Sequence, residues 1–369
     1  MKIALLELHR QPRRFAAAVG ILTLLGALLM LLGGLLDGLT AGGTNAITAQ
    51  SADLLVYSRS SDMKFGQSRI DAATAATVAG VDGVTATGGL DVVKLGARVP
   101  GAEARDLVGV QMFGYVIPPR GVGAPPAEGQ AYADDTLQQR GVNVGDVVEL
   151  GSARTKVKII GFASNTSYVL DPTLWVSQAT WGAVVGANRP SEQMGAGVNQ
   201  ALAVNATGDA GDVARRIDRA TRGQTMSATP AGVIEADKGV QSQSSTFSGI
   251  IGITVAIAVV VVALFFALLT AERTGLYGVL KALGARSGAL LGGVVTQAVM
   301  LTLIASAIAT VLAVILDLTL PPGIIPYSLT ASRVVSSVGS LLLAAVVGCA
   351  FSLRRVLRID PASAIGAST

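Results

Sequence analysis

One cysteine and one histidine in 369 residues remove two large classes of chemistry at once. Cys349 has no partner for a disulfide, so a water-facing domain in this chain must be held by a hydrophobic core rather than by cross-links. His9 stands alone, no His/Cys cluster offers a metal site, and there is no Gly-x-Ser-x-Gly nucleophile elbow. No lysine follows a glycine, which excludes a phosphate-binding Walker A loop. Asp134-Asp135 pairs two carboxylates with nothing beside them for acid/base work, and is expected to be a solvated turn. Charge is scarce as well: 14% of residues are Asp, Glu, Lys or Arg, against about 25% in a typical soluble domain. No catalytic constellation remains, and the chain is not expected to be an enzyme.

What is abundant is apolar. The composition is 51% hydrophobic with a mean hydropathy of +0.57, and the excess is gathered into blocks. Phe15 to Leu36, Ile250 to Leu269, Leu290 to Leu316 and Val334 to Phe351 carry no charge, and about 20 apolar residues suffice to cross a bilayer core. The expected fold class is membrane α-helical, with four transmembrane helices and a large α+β extracytoplasmic domain inserted between helices 1 and 2. The expected boundaries are 1–14 for a cytoplasmic N-terminal segment, then spans at 15–38, 247–271, 287–316 and 333–353. Residues 39–246 form the extracytoplasmic domain, 272–286 a cytoplasmic coupling helix, 317–332 a short external loop and 354–369 a cytoplasmic tail. The first block is read as a retained anchor, because its apolar core exceeds the roughly 7–15 residues of a signal-peptide core.

Charge orients this arrangement. Lys2, Arg10, Arg13, Arg14, Arg273, Lys281, Arg286, Arg354, Arg355 and Arg358 flank the spans on one side, against only Glu7, Glu272 and Asp360. The positive-inside rule then puts both termini and 272–286 in the cytoplasm. The pI of about 9.3 follows from this topology and gives no argument for a nucleic-acid partner. No charge interrupts the core of any span, as an ion or proton pathway would normally require.

Strand-like runs in the inserted segment fall at Asp53 to Tyr57, Leu90 to Val99, Asp106 to Gln111, Asp146 to Leu150, Thr155 to Phe162 and Ala201 to Asn205. Helices are expected at Arg69 to Val78 and Val213 to Thr221, and the whole is expected to form two lobes. Gly141 to Phe162 reads as a barrel-like hairpin unit. In 272–286, Leu276, Val279, Leu280 and Leu283 recur at i, i+3, i+4 and i+7, while Glu272, Arg273 and Lys281 stay polar. A plain amphipathic linker has the same periodicity. A surface helix joining two spans is also a natural place for a soluble partner to push.

The layout of one span, a large exported domain, three further spans and a helix reading Glu272-Arg273 through Gly278-Val279-Leu280-Lys281-Ala282-Leu283-Gly284-Ala285 resembles the MacB/FtsX family of ABC-transporter permeases. The tail from Arg354 to Ile365, with Ile359-Asp360-Pro361, is similar to that family's common ending. Where the family often has Glu-Ile before the glycine, this chain has Leu276-Tyr277. Glu7-Leu8, Arg14-Phe15, Gly34 to Leu39 and Ala52 to Ser58 look like the HrtB/DevC subgroup. The resemblance implies a bacterial inner-membrane permease that works as two copies with two cytoplasmic ATPase subunits. ATP would then be hydrolysed by the partner, with no intrinsic cofactor in this chain. It implies export of an amphipathic substrate from the membrane lipid: haem if HrtB-like, a glycolipid if DevC-like. A non-transporting FtsX-like relay to a cell-wall enzyme is the alternative.

For a substrate, the outer half of the first span stands out. Met30, Gly33, Gly34 and Asp37 share one helical face, with Met30 about 22 Å along the helix from Phe15. The glycines admit a flat ligand or a partner helix, and Met30 is a candidate haem-iron ligand or a gap filler. Arg69 is a candidate partner for a propionate, or a surface salt-bridge residue.

Overall fold

The computed structural model describes residues 12–100, 107–272, 287–320 and 325–356. It divides into two compact units. One comprises residues 1–38, 243–321 and 327–369; the other comprises 39–242 with 322–326.

The first unit is helical. Its members are α1 (Pro12–Thr48, up to Gly38), α6 (Lys238–Ala271, from Gln243), α7 (Ser287–Thr319) and α8 (Ala331–Val356). All four helices are long and apolar enough to cross a membrane. Without a hydrophobic drive between helices in lipid, close backbone approach has to supply the packing. Small residues provide it. Ala298, Ala305, Ala309 and Ala313 form a buried stripe on α7, and a Cβ at Gly26 of α1 would sit 3.1 Å from that of Ala309. A Cβ at Gly348 of α8 would meet the Val259 carbonyl of α6 at 2.7 Å. Ile253, Ile257, Val260, Leu264 and Leu268 leave an exposed apolar stripe along α6, as a lipid-facing helix does.

Helices α1 and α6 overrun the expected spans. Helix α1 continues ten residues past 38 through Gly42-Gly43, where glycine content argues for a break. Burial overrides propensity here: Ala46 and Ile47 are 0% and 3% exposed in the core of the second unit. Helix α6 begins at Lys238, nine residues before the expected 247, with a polar stretch whose first turn is capped by Asp237 accepting from the Gly239 and Val240 amides.

The second unit is built on β1 (Leu54–Ser58), β2 (Val84–Arg98), β3 (Val108–Tyr115), β4 (Gln130–Asp134), β5 (Val147–Leu150), β6 (Thr155–Ala163), β7 (Thr173–Ser177), β8 (Ala201–Ala206) and β9 (Thr225–Ala228). Its helices are α2 (Ala72–Ala79), α3 (Gln178–Asn188), α4 (Ala210–Ala220) and α5 (Pro230–Ala236). The strands run β3-β7-β4-β6-β5-β2-β8-β1-β9, and β3 also pairs with β2. That extra pairing closes six strands into a barrel, with β8, β1 and β9 as an extension. Strand β2 serves both parts: Val84 to Leu90 pair with β8, and Leu90 to Ala97 with β3. The two expected lobes are thus one sheet threaded by a single 15-residue strand.

Alternation explains the barrel core. Val93, Leu95, Val110, Met112, Val148, Leu150, Val157, Ile159, Leu174 and Val176 point inward, and Trp181 and Val184 of α3 pack against them. On the extension, Leu54, Val56, Leu202 and Val204 face the buried side of α2 and α4, while Leu55, Tyr57 and Ala203 face the opposite core. The expected solvated turn at Asp134-Asp135 is corrected by this packing. Asp134 is 1% exposed and accepts from the amides and hydroxyls of both Thr136 and Thr166.

Candidate functional site

The candidate substrate face on α1 is occupied by the protein itself. A Cβ at Gly33 would fall 2.2 Å from Cδ of Arg333, and one at Gly34 would fall 2.4 Å from Cε2 of Tyr327. The glycine pair therefore admits two long side chains from the segment between α7 and the first turn of α8. Asp37, one turn further on, anchors the same group. Its Oδ2 accepts from Arg333 Nε at 3.1 Å and from the Thr330 hydroxyl at 3.1 Å, and its Oδ1 accepts from the other arm of the guanidinium. Ser328 N–H adds a bond to the Gly34 carbonyl at 3.0 Å, and Asp317 accepts from Leu329 N–H at 3.2 Å. Met30 is 1% exposed and packs on Ala309 and Ala313, with the Thr310 hydroxyl 3.8 Å from its sulfur. In this arrangement the thioether shows no open face to iron, and the four residues form a polar latch over a packed helix contact.

Arg69 lies in the other unit. It is exposed, and its guanidinium donates to the carbonyls of Gly66 at 3.3 Å and Ser68 at 2.6 Å. Its electrostatic neighbour is Asp91, which the sequence did not single out. Asp91 is 1% exposed, and its Oδ1 accepts from Gln200 N–H at 2.5 Å while Gln200 Oε1 accepts from Val92 N–H at 2.7 Å. Burial pushes the Asp91 carboxyl up to about 6, opposed by the Gln200 amide, the Gln178 side chain and Arg69. A carboxyl raised in the folded state contributes stability that is full below its unfolded pKa. That contribution is lost as pH rises through about 6. Asp91→Asn is therefore expected to flatten the fall in stability between pH 4 and 7. Thermal unfolding should show a gain of about 3 kcal/mol at neutral pH, from about two pKa units at 1.36 kcal/mol each.

Of the expected coupling residues, Glu272 is the last one described after α6, with its amide bonded to the Leu268 carbonyl at 3.1 Å. Arg273, Leu276, Val279, Leu280, Lys281 and Leu283 lie outside the described residues. Among the described residues no group of His, Cys, Asp and Glu is placed to hold a metal ion.

Comparison with known proteins adds the class. Residues 248–361 match the family model described as FtsX-like permease C-terminal, a stretch that takes in the last three spans and the segments joining them. Curated protein sequences give no match. Among solved structures, the chain is similar to the periplasmic region of MacB from Actinobacillus actinomycetemcomitans, at 9% identity and a TM-score of 0.37. That match covers 51% of this chain and 94% of that one. It is also similar to the extracellular domain of the noncanonic ABC-type transporter YknZ from Gram-positive bacteria, at 11% identity and a TM-score of 0.35. There the coverage is 48% of this chain and 100% of that one. At scores this low the likeness by itself defines neither fold nor function.

Proposed function

We propose that this chain is the permease subunit of an ABC-type efflux transporter of the MacB/FtsX kind, set in a bacterial inner membrane with both termini in the cytoplasm. The observation that carries the reading is the match of residues 248–361 to the FtsX-like permease C-terminal model, a stretch that includes the amphipathic 272–286 sequence. A cytoplasmic ATPase subunit, two copies to a homodimer of this chain, hydrolyses ATP and moves that helix. Stiffness makes the motion useful, because a span that stays helical tilts as a whole. Extrusion of an amphipathic molecule from the outer leaflet needs no polar channel, in keeping with uncharged span cores. The size of the inserted domain favours export over an FtsX-like relay to a cell-wall enzyme, and the DevC-like glycolipid reading differs only in cargo.

Replacing Leu280 and Leu283 together by Asp puts two charges on the apolar stripe of the coupling helix. Co-purification with the cytoplasmic ATPase is expected to fall to background. Association at wild-type level removes the coupling assignment.

Haem is the cargo proposed first, on the HrtB-like stretches at Gly34 to Leu39 and Ala52 to Ser58. Titration of the purified chain with hemin is expected to give a saturable Soret band that weakens in Met30→Ala. Binding would require Met30 to leave the packing described above, so the band should grow slowly, on the timescale of helix rearrangement. A linear, unsaturable absorbance change eliminates haem.

A further inference from the structure

A cavity of about 230 Å³ lies wholly within the sheet unit, and none of the functional residues discussed so far accounts for it. Its walls come from separate stretches of chain. Helix α1 contributes Ile47, β1 contributes Tyr57, the turn after β6 contributes Tyr168, and α5 contributes Val233 and Ile234. Asp62, Lys64, Asp237 and Lys238 are exposed at its rim.

Two groups there are left incomplete. The Tyr57 hydroxyl is fully buried and has no hydrogen-bond partner, a state that costs about 1–3 kcal/mol. Lys64 makes no direct ion pair among the described residues, acting on Asp62 only through space, whereas the other rim charges have direct partners. Asp62 pairs with Lys238 at 3.0 Å, and Asp237 caps α6. Apart from Thr44, Gly43, Gly66 and Met63, the remainder of the lining is aliphatic and aromatic, with Tyr57 edge-on to Phe65 at 5.2 Å and Phe65 edge-on to Tyr168 at 6.1 Å.

One wall is also held under strain. Val169 and Leu170 have φ of 50° and 64°, a left-handed conformation that a β-branched residue rarely adopts. What over-determines it is a backbone clamp on α1. Val169 N–H donates to the Gly43 carbonyl at 3.1 Å, Leu170 N–H to the Gly42 carbonyl at 2.9 Å, and Ala46 N–H to the Ser167 carbonyl at 2.9 Å. Strain of this kind clusters where ligands are gripped.

From these features we infer that the cavity is a binding site for a single-chain anionic lipid of the fatty-acid type. The carboxylate accepts from the Tyr57 hydroxyl and neutralises Lys64, and the chain lies against Ile47, Tyr168, Val233 and Ile234. At about 230 Å³ the space is below the roughly 300–1,000 Å³ of sites for drug-sized molecules, which suits one slim chain and excludes a flat macrocycle such as haem. The site is thus distinct from any haem path and would hold its lipid whether or not an ATPase docks.

The test uses the full chain in lipid nanodiscs with dibrominated stearate as probe. Trp175 stacks on Phe113 at 4.6 Å, and Phe113 packs on Tyr168 at 5.4 Å, so bromine in the cavity lies one ring layer from the indole. Saturable quenching of tryptophan fluorescence is expected. The apparent affinity should drop at least ten-fold in Lys64→Glu and at least three-fold in Tyr57→Phe, and at least ten-fold for a brominated monoacylglycerol that lacks the charge. Tyr57→Phe removes an unpartnered hydroxyl, so its thermal stability should equal or exceed wild type, separating lost binding from lost fold. Absence of saturable quenching in the wild type overturns the proposal. So does unchanged affinity in both variants, or equal binding of the uncharged probe. Loss of ATPase association with quenching intact would sink the permease reading alone.

Discussion

Asp37→Asn is expected to destabilise the four-helix unit by about 2 kcal/mol. The estimate lies between the roughly 3–5 kcal/mol for stripping one partner from a buried ion pair and the 0–1 kcal/mol of an exposed one, because both side chains are 23% exposed. The loss is larger than one hydrogen bond for a geometric reason. Arg333 reaches Asp37 only by passing over Gly33, and Tyr327 covers Gly34, so the carboxylate holds the guanidinium, Thr330 and the start of α8 together. Arg333→Gln should cost a similar amount. The double variant should cost less than the sum, with a coupling of about 1–2 kcal/mol in a double-mutant cycle read by thermal unfolding in nanodiscs. Strict additivity would show that the latch carries no pairwise energy. Gly33→Val should be worse than either single change, since its side chain would displace the middle of the Arg333 side chain rather than its tip.

That latch shows how far the sequence could be read. Helical spacing put Met30, Gly33, Gly34 and Asp37 on one face, and the structure keeps them there. What covers the face arrives from nearly 300 positions away: Tyr327 in the loop before α8 and Arg333 in the first turn of α8 have no local signature. The four apolar blocks were legible because a bilayer needs length and apolarity, and both are local properties. Strands β1, β3, β5, β6, β8 and the second half of β2 were legible from their runs of Val, Ile and Leu. Strands β4, β7 and β9 were not. Strand β7, Thr173 to Ser177, is buried on both faces like β1, but shows only three consecutive apolar residues between Thr173 and Ser177. Strand β4 is short and Ala-rich, and is held by neighbours on both edges, β6 and β7. The first expected span ends at 38 with its apolar block, and the ten further residues of α1 are held by the sheet that buries Ala46 and Ile47. The lipid cavity was invisible for the same reason: its lining is assembled only by folding.

Asp134 is where the second large effect is expected. Read as half of a solvated pair, it is instead a buried carboxylate at the end of β4, with four donors around it. Thr136 supplies its amide at 3.1 Å and its hydroxyl at 2.5 Å, and Thr166 its amide at 3.2 Å and its hydroxyl at 2.8 Å. The chain of bonds continues, because the Thr173 hydroxyl donates to Thr166 Oγ1 at 2.9 Å. One carboxylate therefore ties the end of β4, the turn after β6 and the start of β7, which are three consecutive staves of the barrel. Truncation to Ala removes the partner of the buried amide and hydroxyl of Thr166 and of the half-buried amide and hydroxyl of Thr136. At about 1–3 kcal/mol for each unsatisfied buried group, partly relieved by water entering the space, a net loss of about 4 kcal/mol is expected. Asp134→Asn keeps one acceptor oxygen and turns the other into a donor facing Thr donors, so it should recover less than half of that loss. Thr166→Val, which removes one donor and keeps the volume, should cost about 1–2 kcal/mol. Limited proteolysis of the full chain in nanodiscs, followed at increasing denaturant, reads these differences from the barrel segments. If Asp134→Ala shifts the midpoint by an amount equivalent to less than 1 kcal/mol, the carboxylate does not brace the barrel.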